Sequence, residues 1–144
     1  MYAGLIVTLW SNIEGYLKGL VRVSEQIDST NLKKQPWKID ELKKYYNDKR
    51  VIKLDKLESF NFVDAVRIFN NSFKHSEGFI RSDKPDNVKA IELLEQLQAH
   101  QQHEEGIRIN YEKLPIEELF AASCRFFGVL ERLIAGKLGI NHGK

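Results

Sequence analysis

The chain has one cysteine, one methionine and three prolines in 144 residues. A single thiol, Cys124, excludes an internal disulfide and points to no oxidising compartment, so a cytoplasmic setting is expected. Neither sign of charge dominates: 22 basic residues against 20 acidic ones leave a net charge of +2. That balance excludes a general electrostatic pull towards nucleic acid or an anionic membrane, so any such contact has to come from a local patch. Long apolar runs are missing as well. The opening MYAGLIVTLW has no basic segment before it and passes into SNIEGYLKG without a break in helical pattern, so neither a signal peptide nor a membrane span is expected. There is no glycine-rich phosphate loop, no internal repeat and no low-complexity tract.

What remains is an ordinary globular composition, 42% apolar and 10% aromatic, in one domain over residues 1–144. Ile6, Leu9, Ile13, Leu17 and Leu20 predict a first helix from about Tyr2 to Ile27, with Trp10 and Tyr16 on its flanks. Gly15 and Gly19, each costing about 1 kcal/mol of helix propensity, suggest close approach of a neighbouring helix. The stripe begins almost at Met1, as it would in a core helix or in one that pairs with another chain. Asp28 to Pro36 is a polar connection. Trp37 to Asp48 predicts a second helix, with Ile39, Leu42 and Tyr46 on one side. Lys43, Lys44, Lys49, Arg50 and Lys53 cluster at its end, as a helix dipole favours and as a phosphate patch would also require. Val51 to Leu57 reads as loop.

Glu58 to Gly78 carries the third helix, with Phe62, Ala65, Val66, Phe69 and Phe73 as its apolar face. Phe79 and Ile80 read as a brief extended piece and Asp83-Lys84-Pro85 as a turn. Pro85 to about His103 predicts a fourth helix, with Val88, Ile91, Leu94 and Leu97 inward. Ile107 to Tyr111 alternates as a strand does, and its expected partner is Phe79-Ile80 in a short β-ribbon. Pro115 opens the last helix, which buries Ile116, Leu119, Phe120, Phe126, Phe127, Leu130, Leu133 and Ile134 up to Gly139. The tail INHGK is expected to fray. The predicted fold is all-α: an antiparallel bundle of about five helices with one short β-ribbon.

The third helix also carries the candidate chemistry. Arg67, Asn71 and His75 recur at steps of four and form one row, with Asn70 and Lys74 beside it and Gly78 stopping the helix just beyond. An imidazole exchanges protons near neutral pH, Asn amides can hold a hydroxyl or phosphate oxygen, and Arg and Lys can neutralise phosphate charge. That set suits cleavage of RNA by its own 2′-hydroxyl without a metal. It equally suits a helix end whose polar residues only cap its last carbonyls. His100, His103 and Glu104 would share a face of the fourth helix and are metal-ligand types, but no second segment supplies a further ligand. No metal and no cofactor is therefore expected. Cys124 reads as a packed core thiol.

Asn70-Asn71-Ser72-Phe73-Lys74-His75 resembles the motif of the HEPN superfamily, an Arg and a following polar residue separated from a His on a helix. The surrounding layout is similar: a long helix before, an insertion after, a final amphipathic helix. The resemblance implies an α-helical bundle and a homodimer in which two motif helices face each other. It also implies a metal-independent endoribonuclease of a toxin–antitoxin or defence system, with RNA as substrate and an antitoxin as protein partner. The alternative it allows is a catalytically inactive module for dimerisation or partner binding. Carried onto this chain, His75 is the catalytic histidine, Asn71 the polar residue and Asn70 the occupant of the arginine position. Arg67 stands one turn earlier, and Lys74 and Ser72 would touch substrate. An Asn70→Arg change is expected to speed cleavage and leave the helix intact.

Overall fold

The computed structural model describes residues 2–140, with Tyr2 described in its backbone only. Among them are five α-helices and a small antiparallel sheet. These are α1 (Tyr2–Ile27), α2 (Ile39–Arg50), α3 (Phe60–Ser76), β1 (Phe79–Arg81), α4 (Val88–Leu97), β2 (His100–Gln102), β3 (Gly106–Ile109) and α5 (Ile116–Lys137). The predicted all-α class with one short β element holds. Fraying of the tail beyond Ile140 lies outside the described residues.

Helices α1, α3 and α5 pack on one another, and α4 packs on α3. Of the predicted stripe of α1, Ile6, Leu9, Ile13 and Leu17 are buried and Leu20 is partly so; Trp10, expected on the flank, and Val21 are buried as well. Phe126 of α5 is fully buried, its ring 6.0 Å from Phe60 and 5.2 Å from Phe127. A buried side chain of this size contributes about 2–3 kcal/mol relative to exposure. Gly15 and Gly19 do not receive a neighbouring helix. Nothing lies within 4 Å of a Cβ at Gly15, and at Gly19 only the end of Arg22 does.

Helix α2 starts at Ile39, two residues after the predicted Trp37. Lys38 is extended and its N–H donates to the Glu41 carboxylate at 3.1 Å, which caps the helix there. Trp37 stays outside, exposed, with the Lys18 ammonium 3.7 Å from its ring centre. The basic cluster at the end of α2 is partly internal. Arg50 is buried and donates to Glu25 at 2.7 Å, to Asp28 at 2.6 Å and to the Tyr45 hydroxyl, tying α2 to the end of α1.

Two elements correct the sequence reading. Helix α4 ends at Leu97, because Gln98 turns into the left-handed region at φ 53° and donates to the Leu94 and Glu95 carbonyls. His100–Gln102 then becomes a strand, so the AHQQHEEG segment folds back as a hairpin arm. Strand β3 is central, with Ile107 opposite Ile80 on one side and opposite Gln102 on the other. The predicted pairing of Phe79-Ile80 with Ile107 is present; the third strand was not foreseen. Gly106 is required where β1 and β3 meet, since a Cβ there would lie 2.1 Å from the Ile80 carbonyl oxygen.

The predicted apolar faces are also trimmed. Phe73 is 44% exposed, Phe120 56%, Val88 45% and Leu133 38%.

Candidate functional site

Helix α3 is covered by α1, α5 and α4, so its buried arc is wide: Val63, Ala65, Val66, Ile68, Phe69, Asn70 and Ser72 all lie inside. The arc left open is the one that carries Arg67, Asn71 and His75. Together they line a cleft of about 440 Å³ between the end of α3 and the segment after it. Ser72 and Ser76 lie on its helical wall. The opposite wall is Phe79 and Arg81 of β1 with Lys84 and Asn87 of the following turn.

The end of α3 is fixed by backbone and by Tyr111. Glu77 at φ 53° and Gly78 at φ 81° reverse the chain, and the N–H groups of both donate to the Ser72 carbonyl. Tyr111 donates its hydroxyl to the Phe69 carbonyl at 2.9 Å and packs its ring edgewise on Phe73. Burial pushes the Tyr111 phenol up to about 12, so this donor keeps its proton across the working pH range. A Cβ on Gly78 would come within 3.1 Å of the same ring. The last turn, and with it His75, is thereby held against β1.

Charge in the cleft is mixed: three cations line it, but two of them are each paired with a carboxylate beside it. Arg67 is half-buried and pairs with Asp64 at 2.8 Å along the helix. Arg81 grips Asp83 through two bonds, 3.0 Å and 2.9 Å, an exposed pair in which the contact holds the Asp83 carboxyl below its usual range. Asn87 donates to the Arg81 carbonyl at 3.0 Å and shapes the turn. Asp86 is the one acidic residue on the cleft wall. Because α3 points its negative dipole end here, an anion would depend on these side-chain cations.

The structure therefore brings together Arg67, Asn71, Ser72 and His75. Two predicted site residues lie elsewhere. Lys74 is exposed but not on the cleft wall, and Asn70 faces the interior at 3% exposure. The Asn70 amide donates to Asn71 at 3.4 Å while its carbonyl oxygen is buried without a partner among the described residues. Asn70 follows the buried Val66 by four residues and Val63 by seven, a helical spacing that turns it inward.

Sequence reasoning passed over Arg81, Lys84 and Asn87. The signal was present in RSDKPDN, where Asp83-Lys84-Pro85 was read only as a turn and Asn87 as part of the fourth helix, since a turn that follows one short strand after the motif helix can fold back beside it. The predicted His100, His103 and Glu104 face does not form, because His100 opens β2 and the other two follow it. Among the described residues no three His, Cys, Asp or Glu side chains are grouped to hold a metal ion. Cys124 is exposed, not core. It lines an apolar groove of about 360 Å³ between α1 and α5, with Leu9, Ile13, Phe120 and Phe127. Across that groove the Tyr16 hydroxyl bonds to the Glu131 carboxylate, which with partial burial pushes the phenol up to about 12. No described helix is long and apolar enough to cross a membrane.

Comparison of the chain with protein-family models, curated proteins and solved structures gives no match.

Proposed function

We propose that the chain is an HEPN-like RNA-processing domain whose cleft holds an RNA phosphodiester and cleaves it through His75. One observation carries this reading: an exposed imidazole and the Asn71 amide share a cleft with Arg67, Arg81 and Lys84, drawn from two separate segments. In the reaction, His75 accepts the proton of a 2′-hydroxyl and the freed oxygen attacks the adjacent phosphorus. The new O2′–P bond forms as the P–O5′ bond breaks, and the departing oxygen takes a proton from water in the open cleft. Arg81 and Lys84 offset the charge that builds on the phosphoryl oxygens, and Asn71 orients one of them. No step uses a metal. The test is cleavage of labelled RNA in EDTA. Wild type is expected to cut and His75→Ala to lose activity, whereas activity lost on chelation or kept in His75→Ala would overturn the assignment.

A second reading is favoured by Asn70. In the resembling family an arginine supplies charge at that position, and here a buried amide takes its place. On this reading the chain is a catalytically silent module whose motif helix serves dimerisation or the binding of a protein partner, such as an antitoxin. Light scattering at micromolar concentration separates the oligomeric question. A species at twice the 16.7 kDa chain mass supports the dimer, and a species at the chain mass alone removes it.

A further inference from the structure

The cleft continues past His75 onto the sheet. Phe79 lines the cleft and sits opposite Arg108 in the β1–β3 register, and Arg108 sits opposite Gln101 in the β2–β3 register. Directly paired residues project from the same face, so Phe79, Arg108 and Gln101 form one cross-strand row. The alternate positions, Ile80 and Ile107, are buried at 2% and 1%, which makes the other face the core side and this row the outer one.

Phe79 is only partly covered there. Its neighbours are polar and cationic: the Arg108 guanidinium 5.8 Å from the ring centre and the His103 ring edge-on at 6.0 Å. Arg108 is held in place by a 2.6 Å bond to the Glu77 carbonyl, at the end of the motif helix. An aromatic ring framed by a fixed guanidinium and an imidazole, with Arg81 on the same strand and Gln101 further along the row, has the makings of a surface on which a flat, polar-edged ring can lie.

We propose that this outer face is a base-stacking subsite for single-stranded RNA. A nucleobase next to the phosphate held in the cleft lies on Phe79, Arg108 stands beside it, and Gln101 is placed to meet the base edge. The proposal rests on the reading of the cleft as a phosphodiester site. It adds what that reading lacks, a reason for single-stranded rather than double-stranded substrate, because a base must leave its stack to reach the ring.

The experiment measures binding of two labelled 2′-O-methyl oligonucleotides by fluorescence anisotropy. The methyl group blocks the attacking hydroxyl, so neither is cut. One is an oligoadenylate, the other an abasic chain of equal length and phosphate count. Wild type is expected to prefer the oligoadenylate by between about fivefold and about a hundredfold. Phe79→Leu, which keeps an apolar side chain in the same place, is expected to abolish that preference, and Phe79→Trp to retain it. Lys84→Ala is expected to weaken both ligands equally. Equal binding of the two ligands by wild type, or a preference that survives in a folded Phe79→Leu, overturns the subsite and leaves the cleft standing. Failure of both ligands to bind overturns the cleft reading and the subsite with it. Should Phe79→Leu not fold, the wild-type comparison and the quenching of Phe79→Trp fluorescence by oligoadenylate alone decide the matter, absence of quenching counting against the subsite.

Discussion

Asn70→Arg separates what the motif implies from what the structure allows. Position 70 is 3% exposed and lies on the Val63–Val66 side of α3, away from the cleft. The bond that Asn70 makes is to the Asn71 amide, so a guanidinium placed there inherits no carboxylate partner. An unpaired charge buried in this way costs about 3–5 kcal/mol. Moving the side chain out instead means unwinding the middle of α3, whose Phe69 and Val66 are fully buried. Against a typical domain stability of about 5–15 kcal/mol, the loss is a large fraction. For a domain of this size it lowers the melting temperature by about 10–17 °C. The motif-based expectation is the opposite, an intact helix and cleavage at least about tenfold faster, worth some 1.4 kcal/mol in the transition state. Urea unfolding followed by circular dichroism decides between them, with Asn71→Arg as the comparison. Position 71 is exposed and on the cleft wall, so Asn71→Arg, which gives up only the 3.4 Å bond from the Asn70 amide, is expected to cost about 1 kcal/mol, well short of the loss at position 70. An Asn70→Arg protein with an unchanged midpoint and faster cleavage would refute the placement of this residue.

Three further outcomes are expected. Gly78→Ala should cost about 1–2 kcal/mol, from the φ of 81° and the 3.1 Å approach to Tyr111, and should lower His75-dependent cleavage; an unchanged urea midpoint would contradict this. Tyr111→Phe, which removes the 2.9 Å bond to the Phe69 carbonyl, should cost about 1 kcal/mol by the same assay. The third concerns acid. Burial pushes the Glu25 carboxyl up, but the Tyr45 and Thr30 hydroxyls with Lys49 and Arg50 outweigh it and hold the group below its ordinary 4.5. The folded value being the lower, its stabilisation is fully present above 4.5 and is lost as pH falls through the folded value. Glu25→Gln should therefore flatten the acid limb of the stability profile, and an unchanged limb would show that Glu25 does not carry it.

The parts of the fold legible in the sequence were those with a local cause. The stripes of α1 and α5 are set by apolar spacing, and the stop of α3 by Gly78, so each could be read from a short window. The strand His100–Gln102 has no such apolar signal: its residues are polar and exist as a strand only because β3, the next segment of the chain, offers an open edge. The single-face reading of α3 failed at Asn70 for one reason. A helix covered on three sides has no single buried face, and the number of its neighbours is not written in its own periodicity. The row of Arg67, Asn71 and His75 was legible because it occupies the one arc those neighbours leave open. The cations facing it across the cleft come from the turn after β1, and their approach depends on tertiary folding.

The central claim, that His75 acts as the base for an internal 2′-hydroxyl, is tested most directly by the chemical ends of the RNA fragments from a single turnover. The account predicts a 2′,3′-cyclic phosphate on one fragment and a 5′-hydroxyl on the other, with no product when the scissile nucleotide carries a 2′-deoxy sugar. Fragments ending in a 3′-hydroxyl and a 5′-phosphate would contradict it, because those ends require water as nucleophile.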